Sequence, residues 1–194
     1  LKPATLGTLV EYIASVRRIF TERGARIPVY MAASGPQAML AAGRVADGAI
    51  VSVGTHPSLI GRGLEQIARG AREAGRQPVD IDVVFIAGLA IANTLEEAKR
   101  EVAPVAARRA KDAQYHREFF FPPGLEHLRP DAERVARNYD YRNHLSPDSS
   151  HARLVTDQLV DAYTVAGTAD ACAAKLEAMH KVGVRRVVLF PAGH

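Results

Sequence analysis

IPVYMAASGPQAMLAAGRVADGAIVSVG, residues 27–54, reads as a strand, a tight turn, a short helix and a second strand. The apolar run 27–33 opens with a proline, which a parallel strand accepts near its start and hardly anywhere later. Ser34-Gly35-Pro36 stops that strand. A proline at the first helical position loses only an amide hydrogen the helix has no use for, so Pro36 is expected to begin a helix capped at Gly35 or Ser34. The amides from Gln37 onward then point back at the turn. Unpaired N–H donors and the positive end of the helix dipole make this turn a candidate anion site, with Gly35 letting a ligand approach the backbone. The same three residues would also serve any strand-to-helix turn. No Gly-Lys-Ser/Thr triplet follows and Gly-x-Gly-x-x-Gly is absent, so neither a P-loop nor a dinucleotide fingerprint is present.

Outward from this stretch, residues 5–23 carry Leu6, Leu9, Val10, Ile13, Val16 and Phe20 at helical spacing, with Gly24 placed to end the run. After the helix 36–45 and the strand 49–53, Gly54-Thr55-His56-Pro57 makes a second strand-to-helix turn. His56 either faces a site at the strand end or caps the helix that follows. That helix presents Ile60, Leu64, Ile67 and Ala71 on one face and ends at Gly75. Residues 82–92, DVVFIAGLAIA, form a buried strand with a close backbone approach at Gly88. Thr94 and Glu97 make a capping box for a helix reaching about Gln114 through Pro104. From 115 to 166 the pattern breaks up around FFFPP, Pro130 and Pro147 into short pieces, with helices near 131–139 and 157–163; we read this as an insertion or lid. Phe119–Phe121 line a pocket or pin the insertion. Gly167-Thr168 opens a last helix, 169–181, and 186–190 is the final strand.

Strands alternating with helices imply parallel pairing through right-handed crossovers. A series of strand-helix units should begin on a strand, whereas this chain begins on a helix and stops just after a strand. It therefore has the look of a cut-out, and four parallel strands are half of an eight-stranded barrel. The 194 residues, 47% hydrophobic, suffice for one domain, 1–194, carrying the insertion 115–166. No signal core or membrane-length apolar run is present, so a soluble cytoplasmic protein is expected. The net charge of +4 is spread among acidic residues without a basic, aromatic-interleaved run, which argues against nucleic acid as a partner. Cys172 is the only cysteine and sits in an alanine-rich helix, where a buried, inert thiol is expected. His116, His127, His144 and His151 lack metal-ligand spacing, so no metal is expected and solvent exposure is their default.

PVYMAASGPQAMLAAGRVADGAIVSVG, AREAGRQP, VFIAGLAIANTLEEAK and LVDAYTVAGTADACAAKLEAMHKVGVRRVVLF, in this order, resemble the C-terminal half of luciferase-like monooxygenases. The branch they are most similar to is the F420-dependent reductases of the methylenetetrahydromethanopterin reductase type. The likeness is weakest over 115–151. It implies an α/β fold, the C-terminal half of a (β/α)8 TIM barrel, with four parallel strands and a mainly helical insertion before the last helix and strand. It also implies an oxidoreductase that moves a hydride between coenzyme F420, or alternatively the flavin FMN, and a small organic substrate. Carried over, the cofactor phosphate falls to Ala33, Ser34, Gly35 and Pro36 and to Val51, Ser52, Val53 and Gly54. The family's acid/base groups belong to its first four strands, so no catalytic residue is assigned here. Open edges at the first and last strands imply a homo-oligomer or a missing N-terminal half-barrel as partner. The reading from another class is a non-catalytic phosphate- or nucleotide-binding module with an open, doubly wound sheet.

Overall fold

Pro28 has no amide to give a ladder, and the Val29 amide donates instead to the Asp47 carboxylate at 2.8 Å. The first strand therefore starts later than the apolar run suggests. In a computed structural model describing residues 5–192, β1 is Tyr30–Ala33, β2 is Gly48–Val51 and β3 is Asp82–Ile91. The remaining strands are β4, Val165–Gly167, and β5, Arg186–Pro191. The helices are α1 Leu6–Glu22, α2 Pro36–Val45, α3 Pro57–Glu73, α4 Leu95–Ala113, α5 Arg117–Phe120, α6 Arg129–Arg137, α7 Asp157–Tyr163 and α8 Ala169–Lys181. The expected parallel α/β order is present, together with an unexpected short strand, β4, whose first two residues fall at the end of the expected insertion.

The chain divides into two compact units. The first takes the chain through Ser52 and then Arg62–Phe85. Here β1, β2 and the start of β3 pair in parallel with Tyr30, Gly48 and Asp82 level with one another, and Ala33, Val51 and Phe85 level three residues on. Met31, Ala33, Ala49 and Val51 are buried, along with Met39, Leu40 and Ala42 of α2 and Ile67 and Ala71 of α3. Alternate residues of a strand point to opposite faces, so Tyr30 and Ala32 occupy the less covered face. Arg17 of α1 reaches the Asp47 carboxylate at 2.8 Å and the Val45 carbonyl at 3.0 Å, fixing the helix beside the loop that enters β2.

The second unit comprises Val53–Gly61 and the chain from Ile86 onward. The far half of β3 pairs in parallel with β4, Leu89 opposite Val165, and β3 also pairs with β5. The Thr94 and Glu97 box is formed as expected: the hydroxyl accepts the Glu97 amide, and the Glu97 carboxylate accepts the Asn93 and Thr94 amides. From this cap α4 runs through Pro104 and buries Val102, Ala106 and Ala110. The helices α6 and α7 pack on it and bury Val135, Leu159 and Val160. Phe119, Phe120 and Phe121 are all buried, the first two edge to face at 5.1 Å, so this run is part of the core. Cys172 is buried too, and its sulfur lies 3.7 Å from the Ala90 carbonyl.

One expectation is corrected. His116 and His127 are exposed, but His151 is fully buried and bonded at both ring nitrogens, its neighbours Ser149 and Asp140 supplying the polar partners a buried imidazole requires. Among the described residues, no helix is long and apolar enough to cross a membrane.

Candidate functional site

The first unit brings six of the eight proposed phosphate residues together. Ala33 and Val51 end β1 and β2 side by side, and the Ser52 amide donates to the Ala33 carbonyl at 3.3 Å. Ser34 and Gly35 follow, and Gly35 is the N-cap of α2 with Pro36 as its first residue. The first intrahelical bond runs from the Met39 amide to the Gly35 carbonyl at 3.0 Å. Among the described residues no side chain caps this start, and its first turn carries no acidic group. The Gln37 and Ala38 amides thus stand at an open, positive helix end beside two strand termini. Gly35 is extended, φ −124° and ψ 159°, a conformation any residue adopts. Glycine is therefore not required here for backbone freedom.

Val53 and Gly54 continue the chain into the second unit. Gly54 has φ +104°, and a Cβ there would come within 2.7 Å of the Ala162 carbonyl oxygen and 2.8 Å of the Tyr163 ring. Both its conformation and its surroundings require glycine. The residues after it close the C-terminal end of α7, where helical carbonyls lack partners. The Thr55 and His56 amides both donate to the Ala162 carbonyl, at 2.9 and 3.1 Å. The buried Thr55 hydroxyl reaches the carbonyls of Asp161 at 3.1 Å and Thr164 at 2.9 Å. Nothing local in the sequence marks Thr55, because its partners lie more than a hundred residues away.

His56, of the two roles open to it, takes the capping one: its Nδ1 accepts the Ser58 amide at 3.2 Å. That leaves the proton of the neutral ring on Nε2. Partial burial lowers its pKa below the ordinary 6.5, helped by the Lys175 cation and opposed by Asp161, with His127 adding a smaller lowering effect. Lys175 is itself held by the Asp161 carboxylate at 2.7 Å. The ring is thus a neutral cap at neutral pH.

Comparison with known proteins agrees with this architecture. The sequence model of the luciferase-like monooxygenase family matches residues 3–186. The 5,10-methylenetetrahydromethanopterin reductase of Methanolobus tindarius is 29% identical over 165 residues, which are 84% of this chain and 47% of that protein. The enzyme of the same name from Methanopyrus kandleri is 28% identical over 170 residues, 86% of this chain and 45% of that one. The solved structure of the coenzyme F420 dependent tetrahydromethanopterin reductase from Methanopyrus kandleri superposes with a TM-score of 0.65 at 27% identity, covering 85% of this chain and 45% of that one. The chain thus spans about half the length of the curated relatives it matches. With its parallel α/β order and a family match over nearly all of its residues, the chain belongs to the luciferase-like monooxygenases.

Proposed function

We propose that this chain is the cofactor-phosphate half of an F420-dependent oxidoreductase that moves a hydride between the cofactor and a small organic substrate, with FMN as the alternative cofactor. The observation that carries the reading is the uncapped start of α2 beside the ends of β1 and β2. A phosphate fits such a place. The donors are backbone amides, the first turn has no carboxylate to repel an anion, and the flanking residues Ala33, Ser34 and Gly35 are small. In this reading Ala33, Ser34, Gly35, Pro36, Val51 and Ser52 hold the phosphate, and Val53 and Gly54 are included on the resemblance alone. When bound, F420 supplies hydride chemistry, and the protein supplies position and electrostatics.

Two further parts belong to the proposal. The chain is the C-terminal half of a (β/α)8 barrel, and the segment 115–166 is its insertion, acting as a lid. Among the described residues β1 pairs only with β2 and β5 only with β3, so each leaves one edge for an N-terminal half-barrel or a second copy. A protein carrying this chain should bind F420, and Gly35→Val should weaken that binding about tenfold or more, a loss of about 1.4 kcal/mol. Fluorescence titration with F420 and with FMN reads this out. Unchanged affinity for both would overturn the phosphate assignment, and a chain of monomer mass that turns over alone would overturn the half-barrel one.

A further inference from the structure

His151 sits without solvent exposure in the run that follows α6. Its ring stacks on Tyr139, with centroids 4.3 Å apart and planes at 28°. Nδ1 accepts the Asp140 amide at 3.2 Å, and Nε2 lies 3.1 Å from the Ser149 hydroxyl oxygen. An imidazole nitrogen that accepts from an amide carries no proton, so the neutral ring holds its hydrogen on Nε2 and donates it to Ser149. The same Ser149 oxygen accepts the Ala152 amide at 3.3 Å. One buried ring thereby ties both ends of the stretch 139–152. Tyr139 extends the network, its hydroxyl 2.5 Å from His144 Nδ1 and its face covered by the Lys111 ammonium at 5.2 Å.

We propose that His151 is a proton-operated latch: the neutral ring holds residues 139–152 closed in the second unit, and uptake of a second proton releases them. With Nε2 already carrying the hydrogen, Nδ1 is the ring nitrogen left for that proton. It would have to enter at Nδ1, where the Asp140 N–H already points, so that two donors would face each other in a buried site. Of the neighbouring charges Asp140 offsets this in part, and burial outweighs it. On the same segment stand Asp140 and His144. From α4 come Lys111, paired with Asp112 at 2.7 Å, and Arg108. On α6, which packs against the turn at Ala152–Leu154, Glu133 is bound to Arg129 and Arg117, and Arg134 to Asp131.

Burial pushes the His151 pKa below its ordinary 6.5, with the His144 carbonyl and Asp140 raising it and the His144 ring lowering it. The released segment takes up the proton at the ordinary value and the closed one only at lower pH. Closure is therefore complete above about pH 6.5 and weakens as pH falls toward the lowered value, the open population rising by up to about tenfold per pH unit in that window.

The latch does not depend on the cofactor reading, and its test needs no cofactor. Hydrogen exchange of the Asp140 and Ala152 amides, corrected for intrinsic rates, should accelerate between about pH 7.5 and pH 5.5 while amides in α8 stay protected. In His151→Gln, where the side-chain carbonyl still accepts from Asp140 without titrating, the two amides should keep their protection at both values. The same pH dependence in His151→Gln overturns the latch. Should that variant fail to fold, ring nitrogen shifts of the unaltered chain decide. An unprotonated Nδ1 that titrates together with loss of Asp140 protection supports the proposal. A ring that titrates while Asp140 remains protected overturns it.

Discussion

The Tyr30 hydroxyl donates to the Asp82 carboxylate across an intervening strand, with the tyrosine ring lying over Gly48. Register explains the reach: Tyr30, Gly48 and Asp82 stand level on β1, β2 and β3, at the strand starts. A Cβ at position 48 would come within 2.2 Å of the ring and 2.6 Å of the Asp82 carbonyl oxygen. Gly48→Ala should therefore cost about 1–3 kcal/mol through overpacking, read from chemical denaturation. Tyr30→Ala should remove most of the clash with the ring, so the double variant should lose less than the sum of the two single ones. Strict additivity would show that the ring does not lie over Gly48 in solution.

Two glycines in the candidate region separate binding from folding. Gly35 is extended, so Gly35→Val should cost no more than about 1 kcal/mol of stability, the loss of a good N-cap residue, while cofactor affinity falls. Gly54→Ala meets both a positive φ and a backbone oxygen, and it should cost about 1–3 kcal/mol of stability or more. Equal loss of stability in both variants would contradict this division of roles.

Thr55→Val keeps the side-chain shape and removes a buried hydroxyl that serves the carbonyls of Asp161 and Thr164. Carbonyls at the α7 end left without that donor should cost about 1–3 kcal/mol. Hydrogen exchange should locate the loosening at the end of α7, near Thr164. A variant as stable as the unaltered chain would mean water replaces the hydroxyl without cost.

Burial pushes the Cys172 thiol above its ordinary pKa of 9.0, so the folded chain holds it protonated at mildly alkaline pH. A thiol reagent should react slowly at about pH 8 and rapidly once the chain is denatured, because the thiolate is the reactive form. Rapid labelling of the native chain would place Cys172 outside the core.

Helix limits set by local chemistry were legible in the sequence. Pro36 and Gly35 define the start of α2, Thr94 with Glu97 that of α4, and Thr168 that of α8. A helix near 157–163 was expected from the way the prolines break up its segment, and the structure adds its cap, Thr156. What escaped depends on distant partners. The first strand loses 27–29 because the Val29 amide prefers a carboxylate eighteen residues on. With three residues, β4 is too short to show a period of two. His151 lies in a polar stretch whose composition suggests solvent, and only the fold brings its partners around it. The open start of α2 was legible too, since its proline and glycine are local.

The bonds from Thr55 to Asp161 and Thr164 span 106 and 109 residues. A ribosome adding roughly 5–20 residues each second therefore leaves the turn without these partners for roughly 5–20 s after Thr55 is made. During that interval the Thr55 and His56 amides lack their final acceptor, and the α7 end that Gly54 must approach does not yet exist. Nascent chains stalled before Asp157 should be cut by protease around residues 54–56, and chains released past α8 should resist. The turn at residues 54–56 is thus finished only by residues made more than a hundred positions later.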